Sequence, residues 1–478
     1  MRVILRASII LLLLSAAVAL WSTAEPAWAE SVATFDGGDR HTCVLTTAGG
    51  VQCWGYNLYG QLGDGTTTDR TNPVDVVGLT GGVTAIAAGG DHTCALTTAG
   101  GVQCWGRNQW GQLGDGTFGN HATPAEVVGL GSDVVALSAG QYHTCALTAA
   151  GGVTCWGKNE NGQLGDEQSC GTVVCTTATD VVGLTEEVVA VASGGHHTCV
   201  LTTLGGAKCW GWNFTGEVGD GTTTQRNTPV DVTGLTSDVA AIAVGGRHTC
   251  ALTTAGDVKC WGFNMFGELG DGSTTQRNSP VDVVGLTGTP VALDTGFFHT
   301  CVRTATGGVQ CWGQNTFGQL GDGEACGSVC AAPVNVSGLN GGVSAITTGF
   351  HHACALTTAG AVRCWGLNFE GQIGDGTSGN IRTTPVDVVW LGAKPTPTPT
   401  RTPTPTPIPT ATLPPIPVGG IAELPRLNGG QAEVAGTRLE AGGSSGPGAA
   451  MLAGVAAGVL AGAASVGGVA WYVRRRLG

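Results

Sequence analysis

HTCALTTAGGVQCWGRNQWGQLGDG, residues 92–116, is the stretch whose recurrence decides the fold. Versions of it start at His41, His92, His143, His197, His248, His299 and His352. Each carries two cysteines ten positions apart, and successive first cysteines are separated by 51, 51, 54, 51, 51 and 53 residues. Seven copies of a unit near 50 residues belong to the range of propeller blades or solenoid coils.

One period reads as four short strands. VTAIAAGG (83–90), HTCAL (92–96), VQCWG (102–106) and PAEVVGL (124–130) are apolar runs bounded by glycine, threonine-rich turns and a proline. Four strands in 51 residues match a blade, so the pattern predicts an all-β, seven-bladed propeller with four-stranded blades. A parallel β-helix is the weaker alternative, because its coils are shorter than this unit.

The cysteine spacing carries its own geometry. Cys94 and Cys104 lie symmetrically about Ala99, so they oppose each other across an antiparallel hairpin at a separation that disulfide geometry can reach. The same reading pairs Cys43–Cys53, Cys145–Cys155, Cys199–Cys209, Cys250–Cys260, Cys301–Cys311 and Cys354–Cys364. Four further cysteines occur only in the two copies followed by a longer interval, and read as Cys170–Cys175 and Cys326–Cys330. The eighteen cysteines are thereby used up. No CxxC zinc spacing occurs, so no metal is expected.

Residues fixed in every copy read as architecture. Strand alternation places Trp54, Trp105, Trp156, Trp210, Trp261, Trp312 and Trp365 opposite the cystines, as packing between blades. The glycine three residues before each histidine (Gly38 in the first copy, Gly349 in the last) allows a tight turn or close backbone approach. Each HTC histidine is expected to hydrogen-bond a neighbouring turn. The aspartate of each GD pair is expected to brace its own loop, since one carboxylate per loop falls short of a calcium site. No nucleophile elbow, HExxH pair or phosphate loop is present, so neither a catalytic residue nor a cofactor is expected.

The GxxHTCAL…GxVxCWGxNxxGQLGDG pattern over residues 32–391 resembles the regulator-of-chromosome-condensation repeat. That resemblance implies a seven-bladed propeller. The family includes a secreted bacterial inhibitor of β-lactamases and a eukaryotic nucleotide exchange factor that binds nucleosomes. The hairpin cysteines depart from the intracellular pattern and place this chain with the secreted bacterial branch. Exchange chemistry does not follow from the shape.

Function is sought where the copies differ. Inside WGxNxxG the variable residues include Tyr56, Tyr59, Arg107, Trp110, Trp212, Phe214, Phe263, Met265, Phe266, Phe317 and Phe369. A second variable pair before each HTC includes Tyr142, Phe297, Phe298 and Phe350. Gathered on one rim, such side chains form the aromatic surface favoured at binding hot spots. Any one of them could instead fill a gap between blades. The formal charge of −13 shows no basic stripe, so no nucleic-acid partner is expected.

The two ends set the expected topology. Arg2 and Arg6, the apolar run 9–20 and Ala27-Trp28-Ala29 form a signal peptide over 1–29. The propeller is assigned to 30–391, followed by a Pro/Thr-rich linker at 392–417 and a Gly-rich disordered stalk at 418–448. Residues 449–473 carry no charge and precede three arginines, which predicts a transmembrane helix with a cytoplasmic tail at 474–478. The expectation is an exported, single-pass membrane protein with a monomeric propeller outside. Its partner would be an extracellular protein or cell-surface polymer. A structural surface-layer component is the alternative, and a hydrolase or lyase acting near the axis a weaker one.

Overall fold

The computed structural model describes residues 31–167, 173–184 and 187–390, which build seven four-stranded antiparallel sheets. Every sheet uses four consecutive strands. In blade 1 these are β1 (Val32–Gly37), β2 (His41–Thr46), β3 (Val51–Gly55) and β4 (Arg70–Asp75), in that spatial order. The counterparts of β1 in the other blades are Val83–Ala88, Val134–Ala139, Val188–Ser193, Val239–Val244, Pro290–Thr295 and Val343–Thr348. These seven strands touch one another in sequence and return to β1, so they form the inner ring around the axis. All six residues of β2 are buried, whereas β4 is mostly half-exposed at the outer edge.

Within each blade the two middle strands place their cysteines opposite one another. Cys43 faces Cys53 and Cys94 faces Cys104, each pair bonded at a Cα separation of 4.1 Å. That distance is typical of the closer, non-hydrogen-bonded antiparallel position. The equivalent bonds are 145–155, 199–209, 250–260, 301–311 and 354–364. Cys326 is bonded to Cys330, and Cys175 is disulfide-bonded; Cys170 lies outside the described residues.

The glycine after each tryptophan has a left-handed backbone, φ 106° at Gly55 and 105° at Gly366. A Cβ on Gly55 would lie 2.5 Å from the Arg40 carbonyl oxygen, so any side chain is excluded twice, by conformation and by space. The register to the outer strand slips at this point, between Cys53 and Gly55. The slip carries the chain out of the sheet into the WGxNxxG loop.

The tryptophans join one blade to the next. Trp105 is fully buried, and its Nε1 donates to the Gln61 carbonyl of the preceding blade at 2.9 Å. The same contact closes the ring, from Trp54 Nε1 to the Gln372 carbonyl at 3.0 Å. Blade 1 and blade 7 are each complete, so closure occurs without exchange of an outer strand, through side chains and through backbone bonds such as Gly376 N to the Thr71 carbonyl at 3.0 Å.

The expected fold class is corrected to all-β for the described residues. Among the described residues every element is a strand, and no helix is long and apolar enough to cross a membrane. Segments 1–29, 392–417, 418–448, 449–473 and 474–478 lie outside the described residues.

Candidate functional site

The site is built on the turns that leave the inner strands. Gly38, Gly89, Gly140, Gly194, Gly245, Gly296 and Gly349 form a closed circle, each lying against the carbonyl of the next. A Cβ on Gly38 would sit 2.4 Å from the Gly89 oxygen and 2.2 Å from its own blade's His41 ring. Close approach, without a left-handed backbone, is therefore what demands glycine here.

The HTC histidines form a second circle. His41 Nε2 lies 2.9 Å from Thr93 Oγ1 of the next blade, and that hydroxyl donates to the Gln61 carbonyl at 2.9 Å. With its single proton committed to the carbonyl, the threonine accepts from histidine, which fixes the Nε2–H tautomer. The link recurs at His92–Thr144, His143–Thr198, His197–Thr249, His248–Thr300 and His352–Thr42. The partner is thus a strand residue of the neighbouring blade, which corrects the expected turn. Burial pushes these histidines down to about 3, so they stay neutral.

The GD aspartates brace loops. Asp64 accepts from Thr66 N and Oγ1 at 2.9 and 2.7 Å, and pairs with Arg70 at 2.7 Å. Such donors hold its carboxyl below the ordinary value despite the opposing effect of burial. Asp220–Arg226, Asp271–Arg277 and Asp375–Arg382 repeat the pair. Among the described residues Asp322, Cys326 and Cys330 alone bring three possible metal-ligand atoms together, and there the sulfurs are bonded to each other.

Beyond the glycine circle the variable residues meet. Along blades 2–4, ring contacts run from Trp110 to Tyr142 (6.4 Å), His196 (5.6 Å), Trp212 (6.1 Å) and Phe214 (4.3 Å). Along blades 5–7, Phe263 and Phe266 meet Phe298, which touches Phe297 at 4.5 Å. Phe297 stacks on Phe350 at 4.1 Å, and His351 carries the contact to Phe317 and Phe369. Phe214, Met265 and Phe369 are 61%, 60% and 52% exposed. Tyr56, Tyr59, Arg107, Trp110, Trp212, Phe266 and Phe317 are half-buried. Phe263 is buried beneath Arg247, whose guanidinium lies 4.7 Å from its ring, so it supports the surface from below.

Blades 1 and 2 supply a charged sector. Arg40 lies 3.7 Å above the Tyr56 ring, and Arg107 lies 4.8 Å from Tyr59. Both arginines pair with Asp91, at 3.4 and 3.0 Å. The reading of variable positions omitted His196, His351, Arg40 and Arg247, which stand one residue before the HTC histidine. Aligning that position across the seven copies would have found them.

A ring of blades joined by invariant side chains, with variable aromatics on one face, defines an interaction scaffold of the seven-bladed propeller class. Propellers of this kind are scaffolds and not enzymes. The chain belongs to the RCC1-like domain family, which matches residues 24–296 and 130–412. It is 31% identical over 347 residues to the ultraviolet-B receptor UVR8 of Arabidopsis thaliana, covering 71% of this chain and 78% of that one. It is 32% identical over 330 residues to the human E3 ubiquitin-protein ligase HERC2, covering 68% of this chain but 7% of HERC2. The crystal structure of human WBSCR16 superposes with a TM-score of 0.65 at 25% identity, over 72% of this chain and 94% of that one. Prp20p of Saccharomyces cerevisiae gives 0.65 at 23%, over 73% and 87%, and shows the fold alone.

These eukaryotic relatives correct the placement in a secreted bacterial branch. The same relatives correct the expected exported single-pass topology and the extracellular protein or cell-surface polymer as partner, and the expected membrane attachment rested on 449–473, which lie outside the described residues.

Proposed function

We propose that this chain is a protein-binding module that holds its partner on the aromatic face, with residues 30–391 acting as one unit. The observation carrying this reading is the unbroken ring contact across blades 5, 6 and 7, edged by the exposed Met265 and Phe369. Aromatic and methionine side chains supply much contact area at little entropic cost, and buried beneath a partner they act as hot spots. Tyr56, Tyr59, Trp110, Trp212, Phe214, Phe266 and Phe317 extend the contact, while Arg107 and Arg40 orient it electrostatically. Prp20p, which shares the fold, has been described with binding properties to Gsp1p and histones, so the scaffold is compatible with protein recognition. The excess of acidic groups, a formal charge of −13, favours a protein over a nucleic acid.

The test replaces Phe214, Met265 and Phe369 by alanine together; all three are more than half exposed, so the fold is retained. Partners captured by the full chain are identified by mass spectrometry, and their affinity for both forms is measured. A loss of about tenfold or more is expected, roughly 1.4 kcal/mol. Equal affinities would sink the proposal.

A further inference from the structure

The axis just inside the aromatic face holds an open-mouthed cavity of about 120 Å³, room for several waters. Three carboxylates line it, Asp36 and Asp39 from blade 1 and Asp294 from blade 6, and no lysine, arginine or histidine does. Asp36 and Asp294 flank blade 7. Asp36 accepts from Thr347 Oγ1 at 3.2 Å and from Ala88 N at 2.9 Å, and Asp294 accepts from Thr348 N at 2.8 Å. Asp39 lies three residues beyond Asp36 at the mouth, where Gln141 Nε2 donates to it at 3.1 Å. Arg40 and Arg107, whose charges reach Asp39, are engaged with Asp91.

A second observation points to a missing ligand. Thr295, 8% exposed, lines the same cavity, and its hydroxyl has no hydrogen-bond partner. Burial pushes Asp36 and Asp39 up to about 7 and Asp294 up to about 6, so these carboxylates lack the counter-charge that would keep them ionised. The three do not converge on a point: they form no group with ligand atoms within 4.8 Å of one another, as a metal ion would need. Asp36 lies in β1 and Asp39 in the turn that follows, and they bond different neighbours, Ala88 and Thr347 against Gln141, so the two carboxyls are held at separate places along the cavity. That spacing suits two charges on one elongated molecule.

We propose that the axial cavity binds a linear aliphatic diamine or polyamine. One ammonium sits between Asp36 and Asp294, and a second sits at Asp39 beside the stacked rings of Phe297 and Phe350. The seven glycines of the circle line this cavity, and their lack of side chains leaves room for an unbranched methylene chain.

Isothermal titration of the full chain at pH 7 and low salt, with spermidine, pentane-1,5-diamine and n-pentylamine, tests this. Spermidine is expected to bind with one-to-one stoichiometry, and the monoamine at least tenfold more weakly. The heat should vary with buffer, because the ammonium ionises the carboxylates and releases protons. Asp294→Asn should weaken every amine at least tenfold, and Asp39→Asn should bring spermidine down to the level of the monoamine. Asp39 has Gln141 as its hydrogen-bond partner, so its variant stays informative if Asp294→Asn fails to fold. Absence of saturable binding, indifference to both variants, or equal displacement by magnesium chloride would each overturn the proposal.

Discussion

His299 is the one HTC histidine whose ring nitrogens both lack a partner. The reason stands in the next blade, where HAC replaces HTC and Ala353 occupies the place of the accepting threonine. Ala353→Thr should restore the link, since its hydroxyl would also find the Gln319 carbonyl that already accepts from Trp365. The expected gain is about 1 kcal/mol, read as a higher urea midpoint. A loss of stability would show that the seam between blades 6 and 7 has packed around the smaller residue. The HTC histidines and threonines were legible as a motif, but their partnership was not. They join positions about one blade apart, and only closure of the ring brings them together. The departure at Ala353 was visible in the sequence, although its consequence was hidden until the partner was known.

At the scale of the element, hairpin and cystine were legible together, because two cysteines symmetric about a turn can meet only across antiparallel strands. The outer strands were less legible. The residue opposite the CWG glycine is Arg70, His121, Arg226, Arg277 or Arg382 in five blades, and each pairs with its GD aspartate. In blades 3 and 6 that place is taken by Cys175 and Cys330. A disulfide-bonded loop thus stands where the other blades use an arginine or histidine, and spacing alone did not connect the two devices. The hairpin cysteines are at most 1% exposed, whereas Cys326 is half-buried at the rim of its loop. Brief treatment with a mild dithiol, followed by alkylation and peptide mapping, should therefore label Cys326 and Cys330 before any hairpin cysteine. Labelling of Cys94 or Cys104 first would mean that the blades open more readily than their loops.

The whole molecule is a ring whose closure resembles its other joints: His352 reaches Thr42 at 2.9 Å, and Trp54 reaches the Gln372 carbonyl. Seven whole repeats made the blade count legible, while the mode of closure depended on sheet pairing that repeat phase does not encode. The acidic axis was missed for a related reason. Asp36, Ala87, Ser138, Ala192, Ala243, Asp294 and Thr347 share one inner-strand register, and the comparison of copies stopped at their loops. Repetition also gives the molecule a collective response to acid. Burial lowers nine histidines from 6.5: six HTC histidines to about 3, His196 and His351 to about 4, and His299 well below its ordinary value. Between those values and 6.5 the unfolded chain binds protons that the folded chain refuses, so stability is lost as pH falls through this window. Asp36, Asp39, Asp294 and Glu268, raised to about 7, 7, 6 and 8, act oppositely: the folded chain keeps their protons, and their contribution is lost as pH rises through these values. Burial also raises Glu217, and nine histidines outweigh these five carboxyls between pH 5 and 6.5, while above pH 7 the carboxyls still titrate. Urea midpoints should therefore fall steadily from pH 7 to pH 5 and decline more gently towards pH 9. A midpoint that is flat or rising on acidification would mean that the histidine circle opens to water before the ring unfolds.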